Sequence, residues 1–230
     1  VNSETRKLVK RSTRADDLKE RFKVKEMSSI STLEVAWENK SLWPRYWEGD
    51  ETIFCWKVAR TNKLELLKWA REEKECKWDD RTICAAVNQR NLEMVKYCVA
   101  NECPIDERAC AEAAENGHLE CLKYLREEVK APWDWRTAAW AAGNGHLHIL
   151  EYLVDRKYDK FDEGACTFAA ENGHLDCLKY LRETAKAHWH SGAIRAAHEN
   201  NHLECVQYLL DNNCRLPRNW RYEHGTLHVS

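Results

Sequence analysis

The sequence predicts an all-α solenoid of about six stacked helix-turn-helix repeats, and three observations predict it. Leu64, Leu92, Leu119, Leu147, Leu175 and Leu203 follow one another at 28, 27, 28, 28 and 28 residues, and Leu119, Leu147 and Leu175 each close the word Asn-Gly-His-Leu. An apolar residue followed by a capping side chain recurs ahead of each later anchor. Strand-like alternation does not compete with the helical spacing of the segments between. A unit this short cannot bury its own apolar face, so every copy must stack on its neighbours.

Residues 1–45 do not match the period. Residues 1–25 hold nine Lys/Arg (Arg6, Lys7, Lys10, Arg11, Arg14, Lys19, Arg21, Lys23 and Lys25) against four acids, a net of +5; the total charge of −2 leaves −7 for the rest. Ala15 to Met27 reads as a charged helix with Leu18 and Phe22 on one side. Ser28 to Thr32 reads as a linker or cap before a short helix around Leu33 to Trp37. Such an arm either meets an anionic partner, caps the first repeat or stays solvated. The array is expected over 46–216, with 217–230 as a C-terminal cap or tail.

Within one repeat, the first helix starts at an N-cap: Asp79, Asp106, Asp134, Asp162, and His190 in the last copy. A carboxylate there accepts from free amides of the first turn. The preceding Trp78, Ile105, Trp133, Phe161 and Trp189 are placed to staple onto Ile83, Cys110, Ala138, Cys166 and Ile194, five residues on. This makes the three tryptophans core residues. Small pairs such as Ala113-Ala114 and Ala141-Ala142 let helices approach closely. Gly117, Gly145 and Gly173, with Asn201, suit a left-handed turn; Arg90 and Asn62 depart from it and point to strained or different first turns. The second helix starts near His118 and presents Leu119, Leu122 and Leu125 on one face, with Glu120 and Lys123 on the other. The recurring Trp69, Tyr97, Tyr124, Tyr152, Tyr180 and Tyr208 are expected to bury their rings and bring any hydroxyl to an edge.

The eleven cysteines mostly occupy repeat positions that hold Leu, Met, Ile or Ala in other copies. Thiols that exchange with apolar residues are buried and reduced. A reducing intracellular compartment, cytoplasm or nucleus, is therefore expected; the absence of an initiator Met leaves an organelle open. Cys103 and Cys214, in connectors, are the expected exposed thiols. No window reaches the length of a membrane span.

The string Ala-Ala-Glu-Asn-Gly-His-Leu-Glu-Cys-Leu-Lys-Tyr-Leu at 113–125, echoed at 169–181, resembles an ankyrin repeat, and the resemblance covers about three quarters of the chain. The usual ankyrin unit has 33 residues and a Thr-Pro-Leu-His start. Here the period is 28 and Cys-Pro-Ile-Asp or Pro-Trp-Asp connectors replace the projecting finger, as in the shortened class found in protists and large DNA viruses. The resemblance implies protein–protein recognition without chemistry of its own: an adaptor or scaffold, not an enzyme, with no cofactor.

The histidines at 118, 146, 174 and 202 fall at equivalent positions of different repeats, so they form a ladder with a capping role rather than a convergent metal site. Gly-rich phosphate loops and hydrolase motifs do not occur. The candidate partner-binding residues are Arg81, Arg108 and Arg136, one turn before an aromatic pair, Trp140 and Phe168, with Arg195 in the last copy. They are expected on the concave face, where Trp and Arg are typical anchors. The alternative function is a structural subunit whose arm, residues 6–25, contacts nucleic acid or another anionic surface; the arm lacks aromatic interleaving, so its support is thin.

Overall fold

The computed structural model describes residues 29–40, 43 and 49–229. The basic arm at 6–25 and the expected Ala15–Met27 helix lie outside the described residues. The chain forms two compact units that divide after Ile105.

The first unit holds α1 (Ile30–Glu38), α2 (Glu51–Ala59), α3 (Leu64–Lys68), α4 (Asp80–Asn88) and α5 (Leu92–Ala100). The Ser29 side chain caps α1, which thus starts inside the stretch read as a linker or cap. An aromatic cluster covers the first pair: Trp43 stacks on Phe54 at 5.1 Å, Trp37 meets Phe54 edge-on at 5.3 Å, and the Trp43 indole donates to the Ala36 carbonyl.

The second unit holds α6 (Glu107–Glu115), α7 (Leu119–Lys123), α8 (Trp135–Gly143), α9 (Leu147–Asp155), α10 (Glu163–Glu171), α11 (Leu175–Glu183), α12 (Ser191–Glu199) and α13 (Leu203–Asp211). A short hairpin follows, β1 (Arg221–Glu223) antiparallel to β2 (Thr226–His228). Among the described residues these make six helix pairs, the repeats read from the period.

The caps explain where first helices begin. Asp79, Asp106, Asp134, Asp162 and His190 each accept a first-turn amide through the side chain. Asp50 does the same for α2, so the first copy is shifted by one residue against the count from its leucine. Ala113, Ala114, Ala138, Ala141 and Ala142 are fully buried, where first helices pack side by side. Asn62 and Arg90 adopt the left-handed conformation of the glycine turns, with φ of 60° and 55°, so the early turns share the later geometry and carry its backbone cost. The anchor leucines are only half-buried, and Leu203 of the last pair is 70 % exposed; the core of each second helix comes from the residues two, three and six further on, such as Cys121, Leu122 and Leu125.

The pairs alternate in how they end. The connector amides of Cys76, Ala131 and Ala187 reach back six residues, to the carbonyls of Ala70, Leu125 and Leu181, and π-helical turns at Trp69–Glu73 and Tyr124–Glu128 make room for the first two. In the even pairs the reach is five: Cys103 to Cys98, Tyr158 to Leu153, Cys214 to Leu209. Each wide turn supplies an arginine, Arg71, Arg126 or Arg182. It donates to the carbonyl of Cys76, Ala131 or Ala187 and lies 4.1, 3.8 or 4.5 Å from the ring of Trp78, Trp133 or Trp189. These tryptophans are half-buried rather than core, because one face is covered by a guanidinium. Tyr97, Tyr158 and Tyr208 approach them edge-on, at 6.2, 5.0 and 6.0 Å.

Cys103 and Cys214 are buried, not exposed, at 4 % and 6 %. Their connectors fold inward, and the thiols donate to the carbonyls of Asp79 and His190, as the Tyr158 hydroxyl does to Asp134. Burial pushes Cys110 and Cys166 up to about 12 and Cys214 up to about 11. Such thiols are packing groups, not nucleophiles.

Thr137, also fully buried, has no partner for its hydroxyl. Burying an unpaired hydroxyl is unfavourable, so Thr137→Val should raise stability by about 1 kcal/mol. Urea unfolding checks this; a lowered midpoint would show that the hydroxyl is satisfied.

Candidate functional site

The six candidate residues fall in three places. Arg81, in the first unit, stands at the start of α4. Its Nε donates to Asp79 at 2.8 Å and its terminal nitrogen to the Thr52 hydroxyl at 2.7 Å. Asp50 lies 3.7 Å away, its carboxyl held below the ordinary value by the Thr52 hydroxyl hydrogen bond and, more weakly, by Arg81.

The second unit carries the others. Arg108 and Arg136 repeat the device of Arg81: each Nε donates to the capping aspartate two residues earlier, Asp106 at 2.9 Å and Asp134 at 2.8 Å. The cap therefore has two jobs, holding the helix start and orienting a guanidinium. Arg136 and Trp140 share one face of α8, four residues apart, with the guanidinium 5.9 Å from the ring. Phe168 takes the matching position on the adjacent α10, its Cβ 3.1 Å from where a Cβ on Gly143 would stand. Trp140 and Phe168 are half-exposed. Arg195 is not in this group. It is exposed on α12 and lines a separate cleft with His198 and Trp220.

Two aromatic residues escaped the reading from the leucines. Trp56 stands six residues after its cap Asp50, as Trp140 does after Asp134 and Phe168 after Asp162; counting from the cap instead of Leu64 finds it. Lys57, Arg60 and Arg81 surround its ring at 4.2, 5.3 and 5.8 Å. Trp135, in the first turn of α8, is 45 % exposed. Its signal was an aromatic where other copies carry Asp, Glu or Ser.

The histidine ladder does not cap its own helices. His118, His146, His174 and His202 take the N-cap position but make no side-chain cap. Rings of the ladder sit instead against the turn of the preceding repeat: His146 on Gly117, His174 on Gly145, His202 on Gly173. His146 Nε2–H donates to the Glu115 carbonyl at 2.9 Å, and His148 Nε2–H to the Gly117 carbonyl at 3.1 Å. Burial first, and then the nearby His148, His118 and His174, hold His146 below its ordinary 6.5, while the Glu115 hydrogen bond opposes the shift. The unfolded chain then takes the proton more readily. Stability should be full above pH 6.5 and fall as the pH drops from there toward the folded-state value. Urea midpoints across that range check this; His146→Gln should flatten the slope, and an unchanged slope would assign it elsewhere.

Among the described residues no helix is long and apolar enough to cross a membrane. The family model for ankyrin repeats in three copies matches residues 112–191 and 138–219. The crystal structure of the human ASB11 ankyrin repeat domain is similar, with a TM-score of 0.55 and 18 % identity over 72 % of this chain and 86 % of that one. No curated protein matches the chain significantly. Ankyrin repeats generally mediate protein–protein interaction, and the fold is typically a non-catalytic module. The family match, the repeated helix pairs and the Asn-Gly-His-Leu turns agree: residues 112–219 of this chain are repeats of the ankyrin family.

Proposed function

We propose that the chain is a non-catalytic adaptor or scaffold that binds a protein partner on its first-helix face, the concave face of a repeat stack, with Trp140 and Phe168 as anchors. One observation carries this reading: two half-exposed aromatics at the same position of adjacent helices, one of them beside an arginine pre-oriented by its cap. Two side chains that are already ordered lose little entropy on binding. Arg108, held by Asp106 one repeat earlier, extends the surface.

The test is an affinity capture from the native source, comparing the intact chain with Arg108→Ala/Arg136→Ala/Trp140→Ala. A protein retained by the intact chain should bind the variant about tenfold more weakly or less, the loss typical of an aromatic or arginine anchor. The caps keep their backbone bonds, so unfolding midpoints should stay within about 1 kcal/mol. Unchanged capture would move the binding face elsewhere.

A further inference from the structure

After the last repeat the chain reads Arg215-Leu-Pro-Arg218-Asn-Trp220-Arg221, three cations and no acid, in a segment that the repeat pattern leaves unexplained. Pro217 is buried and Trp220 N–H closes a turn onto its carbonyl. The turn brings the Trp220 ring to 4.9 Å from His198 on α12, tilted by 66°. Arg195, His198, Glu199, Asn201, Arg218 and Trp220 then line a cleft of about 610 Å3, against which the hairpin returns through Val229.

The arginines of this cleft differ from most of those in the array. Arg71, Arg81, Arg126, Arg136, Arg156 and Arg182 all hold a carboxylate, a carbonyl or an aromatic ring. Among the described residues, Arg195 and Arg218 hold none, although both line the same cleft. Glu199 is the single acid in the lining, against two guanidiniums and an imidazole. Unpaired guanidiniums favour an oxyanion, which they bind by charge-assisted and often bidentate hydrogen bonds. The half-buried Trp220 indole supplies a flat apolar wall beside them.

From this juxtaposition we infer that the cleft between α12 and the Pro217–Trp220 turn is a second binding site, taking an oxyanion carried on a planar group. The ligand class is a side chain that bears a phosphate monoester or a carboxylate beside a ring. The site stands apart from the Trp140 surface and shares no residue with it, so either can fail without the other.

Three probes test it: phenyl phosphate, phenylacetate and inorganic phosphate, each titrated against the full chain while the Trp220 indole N–H resonance is followed. Phenyl phosphate should shift that resonance saturably. Arg195→Gln and Arg218→Gln should each weaken binding about tenfold or more, the effect of one charge-assisted hydrogen bond. Both substitutions are at exposed positions, and an unchanged unfolding midpoint confirms the fold. Comparable binding of phenylacetate supports the site and points to carboxylate-bearing partners; binding of phenyl phosphate alone supports it and points to phosphorylated ones. No saturable shift, or a shift untouched by both arginine variants, overturns it. Inorganic phosphate binding as tightly as phenyl phosphate overturns the planar half.

Discussion

Gly117→Ala should destabilise the chain by about 2–4 kcal/mol, through two independent causes. The residue has φ +68°, a conformation that costs an L side chain roughly 1–2 kcal/mol. The new methyl would also stand 2.8 Å from His146 Nδ1 and 3.1 Å from its Cγ, so the whole near edge of the ring is in the way. That ring is tethered by Nε2–H to the Glu115 carbonyl at 2.9 Å, and moving it strands a hydrogen bond. The two causes separate in a double-mutant cycle with His146→Ala. Removing the ring should recover the steric part and leave the backbone part, about 1–2 kcal/mol. Additive losses in urea unfolding would mean that glycine and histidine do not couple across the repeats.

Arg126→Ala should cost about 2–3 kcal/mol, unusually much for a partly exposed arginine. Its guanidinium donates to the Ala131 carbonyl and lies 3.8 Å from the Trp133 ring. A charge-assisted hydrogen bond contributes roughly 1.5–3 kcal/mol and a partly desolvated cation–π contact about 1. The buried Arg126 Nε, which has no partner, offsets some of this. The matching position of the next repeat is Val154, whose pair ends in the tighter turn; Val154→Ala should cost about 1 kcal/mol or less. Equal losses at the two positions in chemical denaturation would refute the alternation of wide and tight pairs.

That alternation marks how far the sequence could be read. The 27-residue step from Leu92 to Leu119 is the length of a tight turn plus a short connector. A single spacing hid the longer one: Arg71, Arg126 and Arg182, like Trp78, Trp133 and Trp189, recur at 55 and 56 residues. The signal was present, but a count anchored on leucines averages odd and even repeats. The same anchor misplaces the first copy by one residue: Trp140 stands seven before Leu147, but seven before Leu64 is Lys57, one residue past Trp56.

By itself the sequence determined the repeat number, the helix type, the caps of the later first helices and the left-handed glycine turns. These follow from local rules: an aspartate accepts the amides beside it, a glycine tolerates positive φ, and apolar residues three and four apart share a face. It also determined that the thiols at repeat positions exchange with apolar residues and are packed. Which surfaces stay open was decided only by the tertiary structure. Cys103 and Trp133 illustrate this in opposite directions, since a connector residue turns inward onto a carbonyl while a staple tryptophan keeps one face for an arginine. Arg136 and Arg195 both lie on first helices, yet one is held by Asp134 beside Trp140 and the other, five residues after its cap, lines the cleft made by the terminal turn. Burial depends on what neighbouring repeats and the chain beyond them place against a residue, and no spacing within one repeat encodes that.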